Sequence, residues 1–252
     1  MRIRSLRPIA LCILVAGCGG TPASQVAERQ SAPPRPRTCR PGSYKTYGSA
    51  RLAYAAVVRS QAVARRTPGG RVLALFGRLN VNGVPTVFSV RGARLGRSCK
   101  PLWYRVQLPI RPNGVTGWVR PAEVRLGTVR TRIVVDLSAR RLELFRNGRP
   151  VLRTTTAIGA DATPTPTGSF YVNQRLVPAD PGGPFGPGAI GISAFSNVLT
   201  GWTQGGPVAI HGTDDPSSIG HAVSNGCIRI PNAVDRRIFG QALAGTPVVI
   251  HP

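Results

Sequence analysis

The chain has 252 residues, with 33 Lys plus Arg against 9 Asp plus Glu and a formal charge of +24. That balance excludes an acidic, halophile-type surface and an ordinary near-neutral cytosolic enzyme, and an apolar share of 42% excludes wholesale disorder. Thirty glycines and 24 prolines disfavour long helices and favour short strands joined by turns.

The N-terminus reads as an export signal: Met1-Arg2-Ile3-Arg4, an apolar run from Pro8 to Ala16, then Gly17-Cys18. The run falls short of the about 20 residues a permanent bilayer span needs. Val15-Ala16-Gly17-Cys18 resembles the bacterial lipobox. That resemblance implies signal residues 1–18, lipidation of Cys18, and a lipoprotein held at the membrane facing the cell wall. A plain secretory signal cleaved nearby is the alternative. Residues 19–41 carry Pro33-Pro34-Arg35-Pro36-Arg37 and no apolar periodicity, and read as an extended tether.

Five cysteines divide by position. Cys12 leaves with the signal and Cys18 carries lipid on the lipobox reading. Cys39 and Cys99 flank the next segment, and an oxidising exterior favours a disulfide between them if their Cα atoms meet. Cys227 is left without a partner in this count.

Residues 42–126 show short apolar runs at Leu52–Val58, Val72–Phe76, Val84–Val90, Trp103–Leu108 and Gly117–Val119. Trp103-Tyr104-Arg105-Val106 and Gly117-Trp118-Val119 resemble the last strands of bacterial SH3-like cell-wall domains, which implies a small β-barrel. Trp103 and Trp118 are read as its core aromatics rather than a ligand platform. Charge concentrates upstream. Residues 1–129 hold 22 basic residues against Glu28 and Glu123, or +20, and residues 130–252 hold 11 arginines against seven acids, or +4. Within residues 42–126, 15 basic residues against Glu123 give +14. An exported chain with this distribution is expected to meet anionic wall polymers or lipid head groups. A nucleic-acid role rests on charge alone and is opposed by the signal and by the lack of a recognition motif.

In residues 130–252, Arg132–Leu137 and Arg141–Phe145 read as strands, the second with alternating polarity. Asn147-Gly148 predicts a hairpin into Val151–Ile158. Pro164-Thr165-Pro166-Thr167-Gly168 is a turn feeding Ser169–Val172, and Pro181–Gly191 reads as a glycine-rich loop. Val208–Ile210 is a strand leading into His211. Pro231–Phe239 is expected as a helix opened by proline, and Thr246–His251 as a closing strand. The expected class is mostly β with one or two short helices.

Two patches carry chemistry: Ile210-His211-Gly212-Thr213, and Ser224-Asn225-Gly226-Cys227-Ile228-Arg229 sixteen residues after the histidine. A lone cysteine with a histidine at a strand end is a candidate nucleophile–base pair, since an imidazole that accepts the thiol proton raises the reactive fraction. The residues alone leave Cys227 equally open to a buried structural role.

From about Thr131 to His251 the chain resembles the L,D-transpeptidase catalytic domain, or YkuD fold. The resemblance rests on Asn147-Gly148, Thr165-Pro166-Thr167-Gly168 with Phe170, and the two patches. It implies a β-sandwich or barrel acting on peptidoglycan stem peptides without metal or cofactor. It further implies Cys227 as nucleophile, His211 as proton donor and acceptor, and the Gly212 carbonyl as the group orienting the imidazole. Amides near Gly226 and Cys227 would form an oxyanion hole. Arg229 would hold a substrate carboxylate, or else be a surface arginine paired with an acid. Ser224, Asn225 and Gly226 complete the substrate side, with Ser224 expected to fix the turn. Many relatives have a second histidine where this chain has Asn225, which removes one hydrogen-bonding group beside the nucleophile. His221 is expected to be solvated, His251 structural, and Asp214 and Asp215 loop and capping residues. Two rival readings remain: a non-catalytic wall-binding lipoprotein, and a hydrolase using the same thioester with water as acceptor.

Overall fold

The computed structural model describes residues 39–252; the signal, Cys12, Cys18 and the tether up to residue 38 lie outside the described residues. The first strands are β1 (Tyr44–Thr46), β2 (Ala53–Val58), β3 (Gln61–Arg65), β4 (Val72–Gly77), β5 (Val87–Leu95), β6 (Pro101–Gln107), β7 (Thr116–Val119) and β8 (Val124–Val129). They form one sheet in the order β4-β3-β7-β6-β5-β2-β8, with β1 added on β5. Strand β8 pairs with β2 as far as Val129, so this sheet carries past Leu126. Its inner face is small and tightly packed. Ala56, Ala62, Ala64, Phe88 and Val106 are fully buried, with Val119 beside them, and Tyr104 joins the same cluster. Trp103 is buried and Trp118 half-buried; the Arg120 guanidinium stacks 4.0 Å from the Trp103 ring. Cys39 and Cys99 are bridged, with Cα atoms 5.6 Å apart.

The second set is β9 (Thr131–Asp136), β10 (Arg141–Arg146), β11 (Arg149–Thr155), β12 (Ile158–Gly159), β13 (Gly168–Leu176), β14 (Ala189–Phe195), β15 (Pro207–His211), β16 (Ala222–Ser224), β17 (Ile228–Arg229) and β18 (Pro247–His251). One helix, α1 (Asn232–Phe239), lies between β17 and β18. The main sheet runs β11-β10-β9-β18-β13-β14-β15-β17, and β12 pairs with β16. The fold is thus mostly β.

Local chemistry explains several of these elements. Asn147 (φ 52°) and Gly148 (φ 79°) both occupy the left-handed region, which a two-residue hairpin matching the sheet twist requires. On β10, Leu142 and Leu144 are fully buried while Glu143 between them pairs with Arg153 at 2.5 Å. The central strand β14 is buried from Ala189 to Ala194 and reads as a run of small and apolar residues rather than an alternation. Its first residues fall where the sequence suggested the end of a glycine-rich loop. Pro231 stands at the N-cap of α1, which turns Asp235 and Ile238 inward at a three-residue spacing.

Both sheets belong to one compact unit, and polar contacts join them. Tyr171 Oη donates to the Val87 carbonyl at 3.1 Å, and Gln107 Nε2 to the Ser169 carbonyl at 2.9 Å. Asn113 binds both backbone groups of Phe195, each at 2.9 Å, as a neighbouring strand would. Arg111 reaches the carbonyls of Ser196 (2.6 Å) and Gly205 (2.5 Å).

Candidate active site

Parallel strands β15 and β17 bring the two patches together. Ile210 pairs with Ile228 and His211 with Arg229. Ile210 and Ile228 are fully buried, so the alternate residues Ala209, His211, Cys227 and Arg229 share the opposite face. Cys227 and His211 are diagonal neighbours, with Cβ atoms on the order of 7 Å apart. The spacing suits proton transfer once the thiol swings toward the ring.

His211 is buried, and its Nδ1 lies 2.6 Å from the Gly212 carbonyl. A carbonyl only accepts, so Nδ1 carries the proton and Nε2 keeps its lone pair. Burial is the main cause that pushes the His211 pKa down to about 4; the Arg229 charge adds to it, while the Gly212 bond and Asp214 oppose it. The imidazole is therefore neutral and basic at Nε2 at physiological pH. Burial likewise raises the Cys227 thiol pKa, against a backbone hydrogen bond at Ala209 and the Arg229 charge. The resting pair is thiol plus neutral imidazole. Such a pair makes thiolate as a substrate is attacked rather than storing it.

The turn carrying the sulfur is held from two sides. Ser224 Oγ donates to the Cys227 carbonyl at 2.6 Å and accepts from the Gly226 amide at 3.1 Å. Thr165 Oγ1 donates to the Gly226 carbonyl at 3.0 Å and accepts from the Gly159 amide at 2.8 Å. Thr163 Oγ1 donates to the Ser224 carbonyl at 2.9 Å. Gly226 itself sits at φ 103°, which L side chains rarely adopt. The Gly226 amide, expected to join an oxyanion hole, is thus engaged by Ser224.

Arg229 is half-buried on the same face, and none of the ion pairs among the described residues includes it. Asn225 and His221 are exposed, and His251 is an exposed residue of β18. Asp215 caps the short turn at Pro216–Ser218, accepting from the Ser217 amide at 3.1 Å, and Asp214 is exposed.

Three residues absent from the sequence reading complete the setting. Asn232 Oδ1, at the start of α1, accepts from the Thr213 amide at 2.8 Å. The peptide unit joining Gly212 to Thr213 thus accepts from His211 on one side and donates to Asn232 on the other, and each bond polarises the other. Asp235, one turn along, is fully buried beneath the same residues. The Gly188 and Gly212 amides face its carboxyl, but its oxygens form no hydrogen bond of standard geometry, and burial pushes its pKa up to about 7. The Phe185 ring meets the imidazole edge-on at 5.1 Å. A side chain at Gly212 would come within 2.2 Å of Asn232 Oδ1, and one at Gly186 within 2.5 Å, so both glycines are required for this approach. The sequence signal was present in two polar residues three apart on the helix, in phase with the buried Ile238.

Residues 130–250 match the YkuD family, the L,D-transpeptidase catalytic domain. YkuD of Bacillus licheniformis is 38% identical over 125 residues, covering 50% of this chain and 68% of the relative. The chain belongs to the L,D-transpeptidase family. YkuD of Bacillus subtilis is 39% identical over 124 residues, 49% of this chain and 68% of its own length. An L,D-transpeptidase structure from Enterococcus faecium aligns at 31% identity with a TM-score of 0.39, covering 48% of this chain and 49% of that one. Within the family domain lie the paired strands β15 and β17 and all of the residues just described around Cys227.

Proposed function

We propose that this family member is an exported peptidoglycan L,D-transpeptidase that forms 3→3 crosslinks by acyl transfer through Cys227. The observation carrying the reading is the facing of a free cysteine and a neutral histidine whose Nδ1 proton is held by Gly212, on adjacent strands of the family domain. Cys227 Sγ attacks the carbonyl between an L-centre and D-alanine at the end of a tetrapeptide stem, and its proton passes to His211 Nε2. The Cys227 amide meets the oxyanion of the tetrahedral intermediate. Collapse breaks the C–N bond, and His211 returns the proton to the departing D-alanine amine. An amine of a neighbouring stem then attacks the thioester carbonyl, gives its proton to His211, and releases the Cys227 thiol. Arg229, which enters no ion pair among the described residues, suits a stem carboxylate. Asn225, two residues before Cys227, is exposed and open to a substrate contact.

On the lipobox reading of residues 1–18 this chemistry takes place outside the membrane on a lipid anchor, and the basic upstream half would draw the enzyme to anionic wall polymers or lipid head groups. Binding of the protein to purified wall is expected to weaken as salt is raised. Purified protein incubated with a carbapenem is expected to gain the mass of one acyl adduct, lost in Cys227→Ala. No adduct, or an equal adduct on Cys227→Ala, refutes the assignment. Product analysis with stem substrates separates crosslinked dimers from the trimmed stems a hydrolase would leave.

A further inference from the structure

One row of neighbours crosses the catalytic face of the second sheet. Gln174 on β13 pairs with Gly191 on β14, and Gly191 with Ala209 on β15. Continuing the Ile210–Ile228 register puts Ala209 opposite Cys227. Residues paired across a ladder share a face, and at about 4.8 Å per strand three steps place Gln174 about 14 Å from Cys227. Only a glycine and an alanine lie between, so no side chain larger than a methyl rises from the floor of the row. The Gln174 side chain folds over Gly191, where an added Cβ would sit 2.5 Å from Gln174 Cγ and 2.9 Å from Nε2. Its Oε1 is held by residues of the first sheet's β4–β5 connection, Asn80 Nδ2 at 2.8 Å and Asn82 Nδ2 at 2.9 Å. The amide donor is thereby left over the row that leads to the sulfur.

Beyond Gln174 the row opens into a cavity of about 370 Å³ between the two sheets, a size ordinary for small-ligand sites. Leu75, Leu79 and Val81 form one wall, and Phe195, Pro207 and Gln204 the other. No charged residue lines it, in a chain with 33 basic residues. Its polar side chains are five carboxamides and the Thr86 hydroxyl, and the Asn173 Oδ1 atom on its lining is buried without a hydrogen-bond partner. Such a surface rejects an anionic polymer and suits a neutral ligand that offers its own amides.

We propose that this cavity takes the neutral, N-acetylated glycan bearing the stem peptide, with Gln174 donating to the stem between the sugar and Cys227. The inference rests on the transpeptidase reading for the stem and on the cavity itself for the sugar. Three extended residues span about 10 Å, which from a scissile carbonyl at Cys227 reaches the row at Gly191, two strand steps away, where the Gln174 carboxamide lies. The first sheet then supplies one side of the substrate site.

The test compares a disaccharide-tetrapeptide with the free tetrapeptide as acyl donor, for the parent enzyme and for Leu79→Trp, which fills the cavity from an exposed position. The expected kcat/KM ratio favours the disaccharide form by at least about tenfold in the parent and falls to about one in Leu79→Trp. A ratio of about one in the parent, or a preference that survives in Leu79→Trp, overturns the proposal. Saturation-transfer NMR with an N-acetylglucosamine tetrasaccharide and full-chain Cys227→Ala reads the cavity without turnover. Transfer is expected with Cys227→Ala and absent when Leu79→Trp is added; no transfer, or equal transfer, overturns the cavity assignment. If neither donor reacts and no carbapenem adduct forms, the transpeptidase reading fails, and the NMR arm alone judges the cavity.

Discussion

Replacing Asp235 by asparagine removes a titrating group from beneath the His211–Gly212 turn while keeping its shape. The carboxyl is fully buried, and burial raises its pKa from 3.8 to about 7. Between those limits the folded protein holds a proton that the unfolded chain has released. Its contribution to stability is therefore complete below pH 3.8 and lost as pH rises through about 7. Each pH unit in that window is worth about 1.4 kcal/mol, so the whole window amounts to about 4 kcal/mol. Asparagine stays neutral at every pH and lacks this loss. Relative to the parent, Asp235→Asn should gain about 1.4 kcal/mol per pH unit between roughly pH 4 and roughly pH 7. Urea unfolding of both proteins across that range, with the slope m checked for equality, measures the difference. A difference that stays constant, or shrinks as pH rises, refutes the buried, protonated carboxyl.

Carbapenem acylation should hold its rate well below pH 6.5 and fall along an acid limb near pH 4, because the His211 base stays neutral down to about 4. A limb near 6.5 would contradict the burial of that ring. Asn232→Ala should slow acylation about tenfold or more and move the acid limb lower, since the Gly212 carbonyl loses the bond that strengthens it as an acceptor; Asn232→Asp should restore both. An unmoved limb would reduce Asn232 to a packing role. Replacing Cys39 and Cys99 by serine should lower stability by roughly 4 kcal/mol in urea unfolding, from the loop of about 60 residues they close, and leave acylation of Cys227 unchanged.

Features set by neighbours in the chain were legible in advance. Asn147-Gly148 announces its hairpin because both turn positions need positive φ, and Pro231 opens α1 because proline suits a helix start. Strand β14 was hidden because burial on both faces removes alternation, and Gly191 within it resembles the loop before it. Strand β3 escaped because its buried residues are the alanines Ala62 and Ala64, poor strand formers whose packing is set by the sheet around them. Residue type and spacing singled out Cys227 and His211 as a candidate pair but left a buried structural cysteine equally open, and only the family resemblance favoured the pair. Asn232, Asp235 and Gln174 were not singled out, because each matters only through a partner brought near by tertiary packing: the Thr213 amide, the Gly212 turn, and Asn80 with Asn82.

The bridge between Cys39 and Cys99 also sets a path for mechanical load. Strand β1 has three exposed residues, pairs with β5 alone, and begins five residues after Cys39. Tension arriving from the chain before Cys39 would otherwise peel this short ribbon away one hydrogen bond at a time. The covalent link diverts that pull to Cys99, in the connection between β5 and β6, two of the longer strands of the sheet. A pull applied ahead of Cys39 is therefore passed to the β5–β6 connection rather than to β1, the weakest edge.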